Sequence, residues 1–158
     1  MAIALVLTGI VVRLWMRVDA VKEALFSRRT AVYAGDRLIG DEQFLRPIFE
    51  RSMRLSQSKL ALQGKQRGHL QIRNRSDLDF HLERVHELEE VNCPRKLTLP
   101  AGKTVLFDVQ GKSHTTQGTR RLRLPYRVTN LLVGPEMPLS IQIALRVEFT
   151  PEPPPAKK

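Results

Sequence analysis

"LSIQIALRVEF", residues 139–149, alternates without a break: Leu139, Ile141, Ile143, Leu145, Val147 and Phe149 fall on one phase, Ser140, Gln142, Ala144, Arg146 and Glu148 on the other. Successive side chains of a strand point to opposite faces, so this is one long strand with a single buried face. A helix would scatter the same six apolar residues around its axis. "RLRLPYRV", residues 121–128, repeats the pattern, with Leu122, Leu124, Tyr126 and Val128 inward and Arg121, Arg123 and Arg127 outward. Pro125 has no N–H to give a ladder, which predicts a bulge or a sheet edge at that point.

Shorter runs of the same period precede this pair. They are "HLQIRN" at 69–74, "LDFHLERV" at 78–85 with Leu78, Phe80 and Leu82 inward, and "TVLFDV" at 104–109 with Val105, Phe107 and Val109 inward; "RKLTL" at 95–99 adds a sixth candidate. Turn residues separate them at Asn74–Asp77, Asn92–Pro94, Pro100–Gly102, Gly111–Gly118 and Gly134–Pro138. Five or six short antiparallel strands with no helices between them predict a β-sandwich over about 68–150.

With those runs in place, "LQIRNRSDLDFHLERV", "PRKLTLPAGKTVLFDV" and the paired "LPYRVTN" and "LSIQIALRVEF" resemble the immunoglobulin-like sandwiches found as accessory modules in envelope and scaffold proteins. The resemblance lies in the strand and turn pattern. The cysteine pair of antibody domains is absent, since Cys93 is single, and Trp15 lies outside the region. It implies a module that binds or positions other proteins.

Upstream the period changes, and the expected fold class is α+β: N-terminal helices followed by the all-β sandwich. "MAIALVLTGIVV", residues 1–12, carries no charge, and Leu14, Val18, Val21 and Leu25 recur at helical spacing, which predicts an apolar or amphipathic helix over 2–26. The uncharged run is shorter than the roughly twenty residues of a spanning helix. Arg13, Trp15 and Arg17 are the candidate membrane-interface residues, because arginine can snorkel and tryptophan favours the headgroup level. A membrane anchor, single-pass or peripheral, is the favoured reading over a buried soluble element or a targeting segment. Residues 27–67 read as a linker with a second, amphipathic helix over about 46–63, opened by Pro47 in its first turn and stopped at Gly64. Four prolines in "TPEPPPAKK" make the 151–158 end an extended tether.

The net charge of +10 is uneven. Residues 69–93 hold three Lys/Arg against six Asp/Glu, whereas 94–127 hold eight against one. Lys112, Arg120, Arg121, Arg123 and Arg127 are therefore the candidate site for an anionic partner, an acidic protein or lipid headgroup. Nucleic acid is the lesser option, because the aromatic interleaving of single-strand platforms is missing there.

Catalytic signatures are sparse. "HLERVH" lacks the His-Glu-x-x-His spacing of zinc proteases. Gly102-Lys103-Thr104 ends like a P-loop, but Leu97 stands where its first glycine belongs and "VLFDV" follows as a strand, so Pro100–Gly102 reads as a type I turn at a hairpin corner. Asn74-Arg75-Ser76 matches a glycosylation sequon and also makes a turn. The expectation is thus a membrane-associated accessory or scaffold protein of the cell envelope with no enzymatic activity, catalytic residue, cofactor or metal, whose sandwich docks on a partner protein. The alternative is a basic nucleic-acid or ribonucleoprotein-binding subunit.

Overall fold

The computed structural model describes residues 30–152. The helix expected over 2–26, its interface residues Arg13, Trp15 and Arg17, and the tail from residue 153 lie outside the described residues. Strands β1 (Ala31–Ala34) and β2 (Arg37–Gly40) lead into helix α1 (Glu42–Ser52). Then follow β3 (Met53–Leu55), β4 (Lys59–Gln63), β5 (Arg67–Asn74), β6 (Phe80–Arg84), β7 (Val91–Asn92), β8 (Lys96–Leu99), β9 (Thr104–Gly111), β10 (Gly118–Gly134) and β11 (Met137–Thr150).

Among the described residues these strands form sheets of seven and four. The larger is built on the β10–β11 hairpin, whose antiparallel register runs from Gly118 opposite Phe149 to Val128 opposite Leu139. Its inward residues are buried: Leu122, Leu124, Tyr126 and Val128 on β10, and all six of the expected phase on β11. β4 extends the sheet in parallel beside β11, while β6 and β2 share the other side of β10, β6 at 126–128 and β2 at 131–132. The smaller sheet runs β3-β5-β9-β7. Leu70, Ile72, Phe107 and Val109 face the larger sheet from it, and the Phe107 ring meets Tyr126 edge-on at 6.2 Å.

Pro125 sits neither at an edge nor at a bulge of β10–β11. It is in register with Gln142, and its carbonyl accepts from the Val85 N–H at 3.0 Å just past the end of β6. A residue exchanges its ladder bonds toward one neighbour, so the missing N–H forfeits one bond where β6 is already ending. The register breaks instead between Val128 and Leu132. There Asn130 turns inward, accepting from the His81 N–H and donating to the Asp36 and Asp79 carbonyls.

The helix expected over 46–63 is corrected in both limits. It starts at Glu42, capped by Asp41, whose carboxylate accepts from the Gln43 N–H at 2.9 Å, and Pro47 lies within it rather than in its first turn. Leu45 and Phe49, four apart, bury one stripe against the sandwich, with Phe49 edge-on to Phe80 at 5.1 Å. Beyond Ser52 the backbone is extended: Leu60 and Leu62 are buried while Lys59 and Ala61 face out, a strand phase that a helix would put on opposite sides. Gly64 ends that strand at φ +53°, and its carbonyl lies where a side chain at Gly111 would need to be, 2.1 Å from the Cβ position. Gly111 is therefore required by close backbone approach.

The Pro100–Gly102 turn also differs. Lys103 N–H donates to Pro100 O at 3.1 Å, which puts Gly102 third, at φ +65°, the type II geometry. It carries the chain from β8 in the larger sheet to β9 in the smaller, so it is a corner between sheets and not a hairpin. Asn74 is buried, its amide donating to the Leu78 and Leu99 carbonyls and its oxygen accepting from Ser76, which fixes the turn reading of the sequon. Among the described residues no helix is long and apolar enough to cross a membrane.

Candidate functional site

The five basic candidates do not form one cluster. Lys112 pairs with Glu87 at 3.4 Å and Arg120 with Glu90 at 3.2 Å, so the acidic 85–91 segment neutralises both. Arg127 stands in register with Glu83 of β6 on one side and Ser140 of β11 on the other. Arg121 and Arg123 remain together on the outer face of β10, where alternation demands they stand because Leu122 and Leu124 are buried.

The sheet gives those two arginines company that sequence reasoning missed. Arg121 is directly opposite Arg146 of β11, and Arg146 is directly opposite Lys59 of β4. Three cations thus form a row across three strands spaced about 4.8 Å apart. Arg123 stands two residues along, opposite Ala144. These side chains edge a shallow hollow of about 370 Å³ whose floor includes Ser58 and Ala144. Among the described residues Lys59, Arg121, Arg123 and Arg146 form no ion pair, and Glu148, opposite Thr119, closes one end. Arg146 was legible as an outward residue of β11; Lys59 was hidden by its assignment to a helix.

A second exposed feature is the β1–β2 hairpin. All four residues of β1, Ala31-Val32-Tyr33-Ala34, are exposed, and Val32 and Tyr33 keep 58% and 57% of their surface. Among the described residues β1 pairs with β2 alone, leaving one backbone edge open and without a charged or proline guard.

The buried polar centre is structural. Arg84 donates to the Cys93 carbonyl at 2.5 Å and sits 3.5 Å from its sulfur, and the Tyr126 hydroxyl donates to the Pro94 carbonyl at 2.6 Å. Together they pin residues 93–94 over the core. Burial pushes the Tyr126 hydroxyl well above its ordinary range, reinforced by the nearby Cys93, and hydrogen bonding to Cys93 raises Arg84. The histidines are spread apart: His69 meets Asp108 at 2.6 Å, His81 meets Asp36 at 3.2 Å and His114 pairs with Glu152. Among the described residues no three His, Cys, Asp or Glu side chains converge.

A family model described as an Ig-like domain matches residues 54–144, more than half of the chain. The chain belongs to this Ig-like domain family. No curated protein matches its sequence. Among solved structures, a two-domain protein from Bacteroides vulgatus ATCC 8482, containing a predicted PHP-like metal-dependent phosphoesterase, superposes with a TM-score of 0.65 at 31% identity. The match covers 78% of this chain and 34% of that one, so the chain spans about a third of the Bacteroides protein's length. WR4, a C. elegans MSP family member, matches at TM-score 0.46 and 8% identity over 63% of this chain and 98% of its own. A Porphyromonas gingivalis W83 protein matches at 0.44 and 15% over 68% and 51%.

The Bacteroides match overturns the expectation of a protein without enzymatic activity. The relative that shares the Ig-like domain at 31% identity contains a predicted phosphoesterase, so the presence of this domain does not mark a protein as non-enzymatic. The likeness also reaches further than the 54–144 family span.

Proposed function

We propose that the Ig-like sandwich is an accessory module that docks on a companion protein domain and positions it, using the β1–β2 hairpin as the contact. The observation that carries this reading is the uncharged β1 edge, open among the described residues, with Val32 and Tyr33 exposed. Such an edge templates strand pairing with anything extended, and natural sheets blunt or cover it. Companions of catalytic type fit best, because the Bacteroides relative is a two-domain protein containing a predicted phosphoesterase. A photo-crosslinking residue in place of Tyr33, in protein produced in its native host, should give one discrete adduct, whereas the same residue in place of the exposed turn residue Lys103 should not. A Tyr33 probe that captures nothing, or no more than the Lys103 probe, would remove this reading.

The setting proposed for the module is a membrane surface. Its support is in the sequence: twelve uncharged residues followed by Arg13, Trp15 and Arg17. Full-length protein should sediment with membranes and redistribute to the supernatant when residues 1–26 are deleted; full-length protein found wholly in the supernatant contradicts it.

A further inference from the structure

We propose that the cationic outer face built from Lys59, Arg121, Arg123 and Arg146 binds an extended, acidic segment of polypeptide. This surface is separate from the β1–β2 edge, and each proposal stands if the other fails.

Side chains directly opposite each other on a sheet are close enough to interact, and like charges there repel. The register nevertheless puts Arg121, Arg146 and Lys59 in one row. Lys112, Arg120 and Arg46 by contrast each receive a carboxylate, from Glu87, Glu90 and Glu42. The row receives none among the described residues, so an incoming anion would relieve its repulsion.

Arg121 and Arg123 are two residues apart on one strand, about 7 Å along it. Carboxylates at alternate positions of an extended peptide repeat at the same distance, so a peptide lying along β10 and β11 meets one guanidinium per acidic residue. Arginine suits this task because its planar fork matches a carboxylate with two hydrogen bonds.

Other polyanions fit this face less well. The exposed large apolar residues of the described chain are Val32, Tyr33, Ile39, Ile48, Val85, Leu106 and Met137, and none lines the hollow between the four cations. Single-stranded nucleic acid gains much of its affinity from bases stacked on aromatic rings, and interfacial membrane binding needs apolar side chains to insert. Glu148 at the end of the face would repel a uniform chain of phosphates, whereas a peptide can present a neutral residue there.

The test uses the full chain and three probes at equal concentration: a fluorescent twelve-residue peptide alternating glutamate and serine, a dye-labelled oligothymidine of matched length, and vesicles of phosphatidylserine and phosphatidylcholine. The peptide should bind at low salt and more tightly than the oligothymidine, and vesicle binding should be the same with and without the Arg121 and Arg146 substitutions. Arg121→Glu with Arg146→Glu should weaken it at least tenfold, while Arg73→Glu with Lys103→Glu, an equal charge change on other exposed positions, should weaken it less than threefold. Arg121→Gln with Arg146→Gln, checked for an unchanged melting temperature, guards against a folding defect and should also lose at least fivefold. Absence of peptide binding, tighter binding of the oligonucleotide, vesicle binding that falls when Arg121 and Arg146 are reversed, or equal losses of peptide in the two charge-reversed proteins would overturn the proposal.

Discussion

The two faces of the β10–β11 hairpin use the same backbone for opposite ends. On the inner face Leu122, Leu124, Tyr126, Ile141, Ile143 and Leu145 are buried against the smaller sheet and α1. On the outer face, one residue along, Arg121, Arg123 and Arg146 stand exposed with no ion pair among the described residues. Alternation separates stability from recognition at the resolution of a single residue. A change on one face should therefore leave the property of the other nearly untouched.

The largest effect is expected from the inner layer. Phe107→Ala removes the ring that meets Tyr126 across the two sheets and leaves a cavity, costing about 3–5 kcal/mol in denaturant unfolding. Asn74→Ala should follow at about 1–3 kcal/mol, because the buried Leu99 carbonyl and the Ser76 N–H both lose their partner. Neither change touches the cationic row, so peptide affinity measured on the folded fraction should be unaltered.

Tyr126→Phe should cost about 1 kcal/mol through the lost bond to Pro94, and it also alters the pH profile. Burial holds the folded hydroxyl above its ordinary 10.0, so between that value and the folded one the unfolded chain binds fewer protons than the folded chain. Stability is then full below pH 10 and falls as pH rises above it, and Tyr126→Phe should flatten that decline in chemical denaturation between pH 9 and 11.

The smallest effect belongs to the outer face. Arg121→Gln should change stability by no more than about 0.5 kcal/mol, and toward stabilisation, since it relieves the repulsion from Arg146. A loss comparable to that of Phe107→Ala would break the separation of faces.

The same contrast explains what could be read in the chain. The sandwich was legible wherever a strand buries one face only, because Leu122 to Val128 and Leu139 to Phe149 then write a clean alternation. The flanks obeyed other signals. Asp41 ahead of Leu45 and Phe49 marked the true helix start, but Pro47 suggested a later one. Leu60 and Leu62 signalled a strand in only two residues, too few to outweigh the helical spacing before them. The cationic row was half legible: Arg121 and Arg123 share a strand and Arg146 faces Arg121 across the hairpin, whereas Lys59 joins through its pairing with Arg146, 87 residues further along the chain, which no local pattern encodes. Lys112 and Arg120 counted as members by proximity in sequence until the fold gave each a carboxylate.

The separation of faces is tested most directly by measuring denaturant unfolding and acidic-peptide binding on the same two proteins, Ile143→Ala and the double variant Arg121→Gln with Arg146→Gln. Ile143→Ala should lose about 2–5 kcal/mol of stability and keep its peptide affinity once corrected for the folded fraction, while the double variant keeps its unfolding midpoint and loses at least fivefold in affinity. A double variant that unfolds as early as Ile143→Ala, or that binds the peptide as well as the unaltered chain, would contradict it.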